Sequence, residues 1–136
     1  MKILIVDHER FLAELVKLAL EADGHACYTA STAEMASEIL AAEHVDLITL
    51  DLDASDGGAL DWLDGVVLAH PEFHGRVFVL ADRPLDHDES RRALACGARV
   101  IGKPFTLDQV RETVDVLTPL ERRGREPSFR ERPLEV

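Results

Sequence analysis

Asp7, Asp51 and Lys103 each stand just after a short run of apolar residues. Such runs are typical of buried strands. If the strands are parallel, their carboxyl ends share one edge of the sheet, which is where open α/β sheets bind ligands. Two carboxylates and an ammonium group would then meet in one pocket, and we take that pocket as the candidate functional site. The dipole of a following helix could explain one such acid, but it does not explain three charged groups at the same end.

The segments that position these residues alternate between strand and helix. Apolar and β-branched runs predict strands over residues 2–6, 25–30, 45–50, 76–81 and 99–101. Helical spacing, caps and breakers predict helices over residues 10–22, 59–69 and 107–117, a helix capped by Ser31 or Thr32 that ends at residue 42, and a helix that opens at Leu85 or Asp86 and ends at residue 96. The central strands are apolar on both faces, as in parallel sheets covered by helices. We therefore predict a doubly wound α/β fold with a five-stranded parallel sheet, strand order 2-1-3-4-5, and five helices.

The length and composition predict one domain followed by a tail. A chain of 136 residues suits a single domain. We predict the folded domain over residues 1–118 and a charged, mostly disordered tail over residues 119–136, because this segment has dense charge and no apolar period. An alternative is that the Arg-rich tail docks on an acidic partner or on the domain itself.

The charge and hydropathy of the chain exclude some classes of partner. The net charge of −11 argues against nucleic-acid binding, because phosphate backbones repel an acidic surface. No apolar run approaches the length of about 20 residues that a membrane helix needs, and Asp7 interrupts the apolar start of the chain. We expect no membrane partner and a cytoplasmic location. Cys27 and Cys96 lack metal or redox spacing, and we expect both to be reduced core thiols.

Three segments together resemble the receiver domain of two-component response regulators. The resemblance rests on the segments 3–7 (Ile-Leu-Ile-Val-Asp), 46–52 (Asp-Leu-Ile-Thr-Leu-Asp-Leu) and 103–105 (Lys-Pro-Phe), and it covers about residues 1–118. The spacing agrees as well, with 44 residues from Asp7 to Asp51 and 52 from Asp51 to Lys103. The resemblance implies a flavodoxin-like fold and a role in phosphorelay signal transduction.

The resemblance also implies roles for particular residues. A histidine kinase or phosphotransfer protein would donate a phosphoryl group to Asp51, the predicted phosphoacceptor. Lys103 would pair with the phosphoryl oxygens, and the bond between Lys103 and Pro104 would be cis, as it usually is in the family. Metaphosphate-like transfer depends on positioning and charge neutralisation, which an ammonium group and a divalent cation can supply.

The acidic pocket, formed by Asp7, His8 and Glu9, is the predicted place for that cation. The resemblance implies Mg²⁺ held by an acidic pair at the positions of Asp7 and His8 and by the backbone carbonyl of Asp53. Asp7, Asp51 and the extra Asp53 carboxylate are the metal ligands that could compensate for His8. Mg²⁺ is nonetheless doubtful, because His8 stands where the family has an acid and Mg²⁺ prefers oxygen ligands. Imidazole suits Zn²⁺, Cu²⁺ or Ni²⁺ better. A transition-metal site is one alternative; the other, which we favour, is that His8 is a solvated loop residue.

Two further departures affect the predicted switch. Ala81, 30 residues after Asp51, lacks the hydroxyl that the family places there to hydrogen-bond the phosphoryl group. Val100 stands three residues before Lys103, where the family usually has a switching Tyr or Phe. The switch is therefore degenerate. Two versions of the function stay open: a receiver phosphorylated on Asp51 that signals by an altered route, and a phosphorylation-independent pseudo-receiver that works as a binding module.

The remaining expectations concern partners and the alternative of an enzyme. No output domain follows in this sequence, so we expect a signalling domain without enzymatic activity that acts on a downstream protein target. The family's usual interaction face, here about residues 86–117, suggests a homodimer. Asp51 and Asp53 also look like the first motif of haloacid-dehalogenase-type phosphatases, as nucleophile and general acid. That motif normally follows the first strand, however, and no Ser or Thr ends the fourth.

Overall fold

Strands and helices alternate five times along the chain. The computed structural model describes residues 1–54 and 57–117. Its elements are β1 (Lys2–Val6), α1 (Arg10–Ala22), β2 (Ala26–Ala30), α2 (Ala33–Ala42), β3 (Leu47–Asp51), α3 (Ala59–Ala69), β4 (Val77–Ala81), α4 (His87–Ala95), β5 (Arg99–Gly102) and α5 (Leu107–Leu117), with a short 3₁₀ helix, Pro71–Phe73, before β4. The predicted tail, residues 119–136, lies outside the described residues and stays a prediction.

The five strands form one parallel sheet in the order β2-β1-β3-β4-β5. The predicted fold class and strand order are confirmed. β1 lies between β2 and β3, with Ile3 opposite Leu47 and Val6 opposite Leu50. Each strand ends at the same edge of the sheet, because all pairs are parallel. In the described part of the chain, no helix has the length and apolar character to cross a membrane.

Several boundaries differ from the sequence prediction by one or two residues. β3 begins at Leu47 rather than residue 45, because Asp46 uses both its N–H and its carboxylate on the backbone of Lys2, at 2.7 and 2.8 Å. It also extends to Asp51, which pairs with Leu80 of β4. β2 and β4 each begin one residue later than predicted, and β5 ends one residue later. α4 begins after Asp86, whose side chain accepts the Glu89 N–H in a capping box, and ends before Cys96.

The hydrophobic core lies on both faces of the sheet, as the apolar central strands predict. Alternate residues point to opposite faces of a strand. Leu4, Val6 and Leu50 pack towards α2 and α3, where Leu63 is fully buried. The opposite core, between the sheet and helices α1 and α5, contains Ile3, Ile5, Leu47, Phe78, Val16, Leu20, Val110 and Val114. Both cysteines are buried and free, as expected.

This alternation brings the two predicted carboxylates together. Ile3 and Ile5 point to the face covered by α1 and α5, and Asp7, two residues further, points to the same face. Asp51 is four residues after Leu47, which also points to that face, so both acids lie on one side of the sheet. Val6 is opposite Leu50, so Asp7 and Asp51 are neighbours at the next position along β1 and β3.

Candidate functional site

Asp51 is the central carboxylate of the site. It is the last residue of β3 and is completely buried. Its Oδ1 accepts hydrogen bonds from the Asp53 N–H at 3.2 Å and from Lys103 Nζ at 3.1 Å, while its Oδ2 contacts His8 Nδ1. Burial raises the pKa of Asp51, but the hydrogen bonds from Lys103, Asp53 and His8 outweigh that effect and hold the pKa below its usual value. The carboxylate is therefore ionised at neutral pH.

Lys103 follows β5 and reaches Asp51 from the side of β4 and β5, whereas Asp7 lies on the side of β1. Its backbone N–H continues the β4–β5 pairing with a bond to the Ala81 carbonyl at 2.6 Å. The Lys103–Pro104 peptide bond is cis, as the resemblance implies. Lys103 Nζ donates to Asp51 and to Glu9, both at 3.1 Å. Burial lowers the pKa of Lys103, but the bonds to Glu9 and Asp51 outweigh it and raise the pKa, so the side chain is an ammonium ion.

Asp7 is the second buried carboxylate, with about 1% of its surface exposed. Its Oδ1 accepts the Glu9 N–H at 2.9 Å, whereas its Oδ2 has no hydrogen-bond partner in the described residues. Burial raises the pKa of Asp7 to about 6 from an ordinary value of 3.8, and the nearby charge of Asp51 also raises it. Oδ2 of Asp7 is thus a buried acceptor with no hydrogen-bond donor among the described residues.

His8 contacts the central carboxylate of the site, which the sequence analysis does not predict. The prediction of a solvated loop histidine is wrong in one respect: the ring is about half exposed, but Nδ1 is hydrogen-bonded to Asp51 Oδ2. That bond is the main cause of a raised pKa for His8. The contact could not be found by sequence patterns, because it depends on which way the His8 side chain turns from the end of β1.

Asp7, His8 and Asp51 form the metal-compatible group in this part of the structure. Each offers one ligand atom, and these atoms all lie within 4.8 Å of one another. The predicted set contained Asp53 in place of His8. Asp53 gives its N–H to Asp51, but its carboxylate is outside this group; burial and the neighbouring Asp82 raise its pKa. A cation would satisfy Oδ2 of Asp7, which has no hydrogen-bond partner in the described residues. However, an imidazole is a poor ligand for Mg²⁺, which prefers oxygen donors. The residues present therefore do not fit Mg²⁺ well.

The two predicted switch positions lie next to an open groove. Ala81 is buried at the end of β4, and Val100 on β5 is about half exposed. A cavity of about 630 Å³ lies between α4 and β5 and is lined in part by Ala81, Val100, Leu94 and Lys103. Ala81 and Val100 both line this space, and Ala81 brings no hydroxyl group to the end of β4.

The family model for the response regulator receiver domain matches residues 3–115 of the chain. The chain therefore belongs to the receiver domain family of two-component response regulators. Members of this family commonly bind Mg²⁺ at acidic residues, and the imidazole of His8 is a departure from that pattern.

Individual relatives agree with this assignment. The chain is 30% identical over 117 residues to the transcriptional regulatory protein BasR of Escherichia coli, a match covering 86% of the chain and 52% of BasR. The chain thus spans about half the length of the curated relatives it matches. A response regulator from Thermotoga maritima superimposes with a TM-score of 0.73 at 29% identity, covering 85% of this chain and 95% of that one. The receiver domain of NtrC4, described as a beryllofluoride-activated dimer, shares the fold with a TM-score of 0.75 at 24% identity, covering 85% and 94%.

Proposed function

We propose that the chain is a signalling receiver that accepts a phosphoryl group on Asp51 and acts through protein–protein contacts rather than as an enzyme. The observation that carries this proposal is the environment of Asp51. An ionised carboxylate, buried at the end of β3, lies 3.1 Å from the Lys103 ammonium group. A carboxylate is a competent nucleophile for forming an acyl phosphate. The adjacent ammonium neutralises charge on the incoming phosphoryl oxygens.

The proposed reaction uses groups that this chain already holds. An oxygen of Asp51 attacks the phosphorus of a phosphohistidine on a kinase or phosphotransfer protein. The new P–O bond forms while the P–N bond breaks, and the donor nitrogen keeps the electron pair. Oδ2 is covered by His8, so the imidazole has to rotate away before this oxygen can react. The ring is about half exposed to solvent, which gives it room to turn.

A second candidate is a phosphorylation-independent binding module. Two observations favour it: His8 occupies Asp51 Oδ2, and Ala81 gives the pocket no hydroxyl to bind a phosphoryl group. In this version the bonds from Lys103 and His8 to Asp51 stabilise one fixed conformation, and partners recognise that conformation. The phosphatase alternative is less well supported, because Asp51 follows the third strand rather than the first and Ala81, not Ser or Thr, ends β4.

The two candidate functions differ in whether the chain becomes phosphorylated on Asp51. The full chain is incubated with a small phosphodonor, separately with Mg²⁺ and Mn²⁺, and its intact mass is recorded. We expect the mass of one phosphoryl group to be added to the wild type and to Asp53→Asn, the matched control, and not to Asp51→Asn. A wild-type chain that gains no mass under any of these conditions would contradict the phosphoacceptor proposal and favour the binding module.

We also propose that the face formed by α4, β5 and α5, about residues 86–117, is the contact surface for partners or a second copy. Leu94, Val100 and Val116 lie on these elements and are 79%, 47% and 53% exposed. Exposed apolar groups of this size favour association. Sedimentation at high concentration should show a dimer that Leu94→Lys weakens. Leu68→Lys, on α3 at 84% exposure, is the matched control and should leave the dimer intact. A chain that is monomeric at every concentration would contradict the homodimer.

A further inference from the structure

We propose that Asp7, His8 and Asp51 form a binding site for a borderline transition-metal ion of the Zn²⁺ class in preference to Mg²⁺. This inference goes beyond the proposed function, because binding of the ion does not require Asp51 to be phosphorylated. The three side chains come from the ends of two adjacent strands and bring their ligand atoms within 4.8 Å of one another. The site therefore consists of two carboxylates and one imidazole.

An independent observation points to a cation at this place. Asp7 is 99% buried, and its Oδ2 has no hydrogen-bond partner in the described residues. Burying an acceptor without a donor costs free energy. The neighbouring carboxylate of Asp51 cannot donate a hydrogen bond while ionised, so a cation between the two acids would satisfy the oxygen that the protein leaves unpaired.

The charges around the site agree with a divalent ion. Glu9, Asp7 and Asp51 carry three negative charges, and Lys103 supplies one positive charge through its bonds to Glu9 and Asp51. With His8 neutral, the group has a formal charge of −2. One divalent cation neutralises it. Oδ1 of Asp51 accepts from Lys103 and from the Asp53 N–H, so the ion would bind Oδ2 in place of the hydrogen bond from His8.

The ligand types decide which divalent ion is favoured. Mg²⁺ requires near-octahedral oxygen ligands and dehydrates reluctantly, so replacing an acid by an imidazole weakens its binding. Zn²⁺ accepts imidazole nitrogen and carboxylate oxygen at about 2.0–2.2 Å, commonly with three protein ligands and a water. Tetrahedral ligands at that bond length are about 3.4 Å apart, so ligand atoms that already lie within 4.8 Å of one another need only side-chain rotation to surround the ion.

One existing contact has to be exchanged when the ion binds. His8 Nδ1 is hydrogen-bonded to Asp51 Oδ2, and this bond has to break before both atoms can bind an ion. The His8 ring is about half exposed and sits in the short segment between β1 and α1, so it can turn without disturbing the core. Asp7 and Asp51 are held by backbone N–H groups of Glu9 and Asp53 and can stay in place.

The test measures binding of Zn²⁺ and Mg²⁺ separately to the full chain by titration calorimetry, after treatment with a chelator. We expect one Zn²⁺ to bind at least about tenfold more tightly than Mg²⁺. His8→Gln should weaken Zn²⁺ binding by at least about tenfold, because removing even an indirect partner of a metal ligand costs that much. His8→Asp, which restores an all-oxygen site, should shift the preference towards Mg²⁺.

A surface histidine provides the matched control. His44 is also paired with an aspartate, Asp46, through a bond of 2.8 Å, but it lies at the opposite edge of the sheet. His44→Gln should leave Zn²⁺ binding unchanged. The inference is overturned if the wild type binds Zn²⁺ no more tightly than Mg²⁺, or if His8→Gln and His44→Gln have equal effects. Because phosphorylation is not measured, failure here would leave the proposal about Asp51 standing, and the reverse also holds.

Discussion

Replacing Asp7 by asparagine should stabilise the metal-free protein at neutral pH. Asp7 is almost completely buried, and burial raises its pKa from 3.8 to about 6. A carboxylate with a raised pKa costs stability when it is ionised. Asparagine is neutral and nearly the same shape. Its oxygen can still accept the Glu9 N–H, and its amide group can donate to the neighbouring carboxylate of Asp51.

The size of the effect follows from the two pKa values. A pKa difference of one corresponds to about 1.4 kcal/mol, so the rise from 3.8 to about 6 sets an upper limit of about 3 kcal/mol. Because the folded-state pKa is the higher one, stability is greatest below pH 3.8, falls as the pH rises towards 6 and is constant above it. We expect Asp7→Asn to gain about 1–3 kcal/mol at pH 8 and about half as much at pH 5.

Urea unfolding in the presence of a chelator measures this difference. Glu14→Gln on α1 is the matched control, since it removes the same charge from an exposed position, and its effect should stay within about 0.5 kcal/mol. The reasoning would be refuted by an Asp7→Asn chain that is no more stable than the wild type at pH 8. It would also be refuted by a gain that does not decrease towards pH 5.

Three further predictions concern other parts of the structure. His8→Gln should destabilise the protein more at pH 6 than at pH 8.5, because the raised pKa of His8 gives stability that is present below its usual value of 6.5 and is lost as the pH rises. The side chain is half exposed, which keeps the effect under about 1 kcal/mol. A loss of unfolding free energy in urea that is the same at both pH values would contradict this prediction. Asp86→Ala should cost about 1 kcal/mol by removing the N-cap of α4, and an unchanged urea midpoint would argue against the capping box. Gly97→Ala should destabilise the protein more than Gly24→Ala. Both glycines have positive φ, at +67° and +93°, but only at position 97 would a Cβ lie 3.0 Å from the backbone of Gly75. Equal melting temperatures of the two variants would contradict this prediction.

The sequence predicts the arrangement of the main chain around the site, because the apolar pattern identifies the strands and the right-handed connections between parallel strands restrict their order. Apolar runs determine which segments are central strands, and parallel strands place Asp7, Asp51 and Lys103 at one edge. Asp7 and Asp51 are then neighbours because of the register, since Val6 is opposite Leu50. Strand ends are less predictable, because polar contacts such as that of Asp46 with Lys2 decide them.

The contacts within the pocket could not be predicted in the same way. The bond from His8 to Asp51 and the unpartnered oxygen of Asp7 depend on side-chain rotamers, which strand patterns do not determine. The position of Glu9 after β1 predicts that it belongs to the acidic pocket, but only the three-dimensional structure shows that Glu9 and Asp51 both bond to Lys103. Of these contacts, the bond from His8 to Asp51 involves the residue at which the chain departs from the acidic pattern of its family.

Trapping the acyl phosphate tests most directly whether Asp51 is the nucleophilic carboxylate of the pocket. After incubation with a phosphodonor, borohydride reduces an aspartyl phosphate to homoserine, which peptide mass mapping can locate in the sequence. We predict homoserine at position 51 and at neither Asp7 nor Asp53. Homoserine at one of those two positions, or at none of the three, would contradict the assignment of Asp51 as the phosphoacceptor.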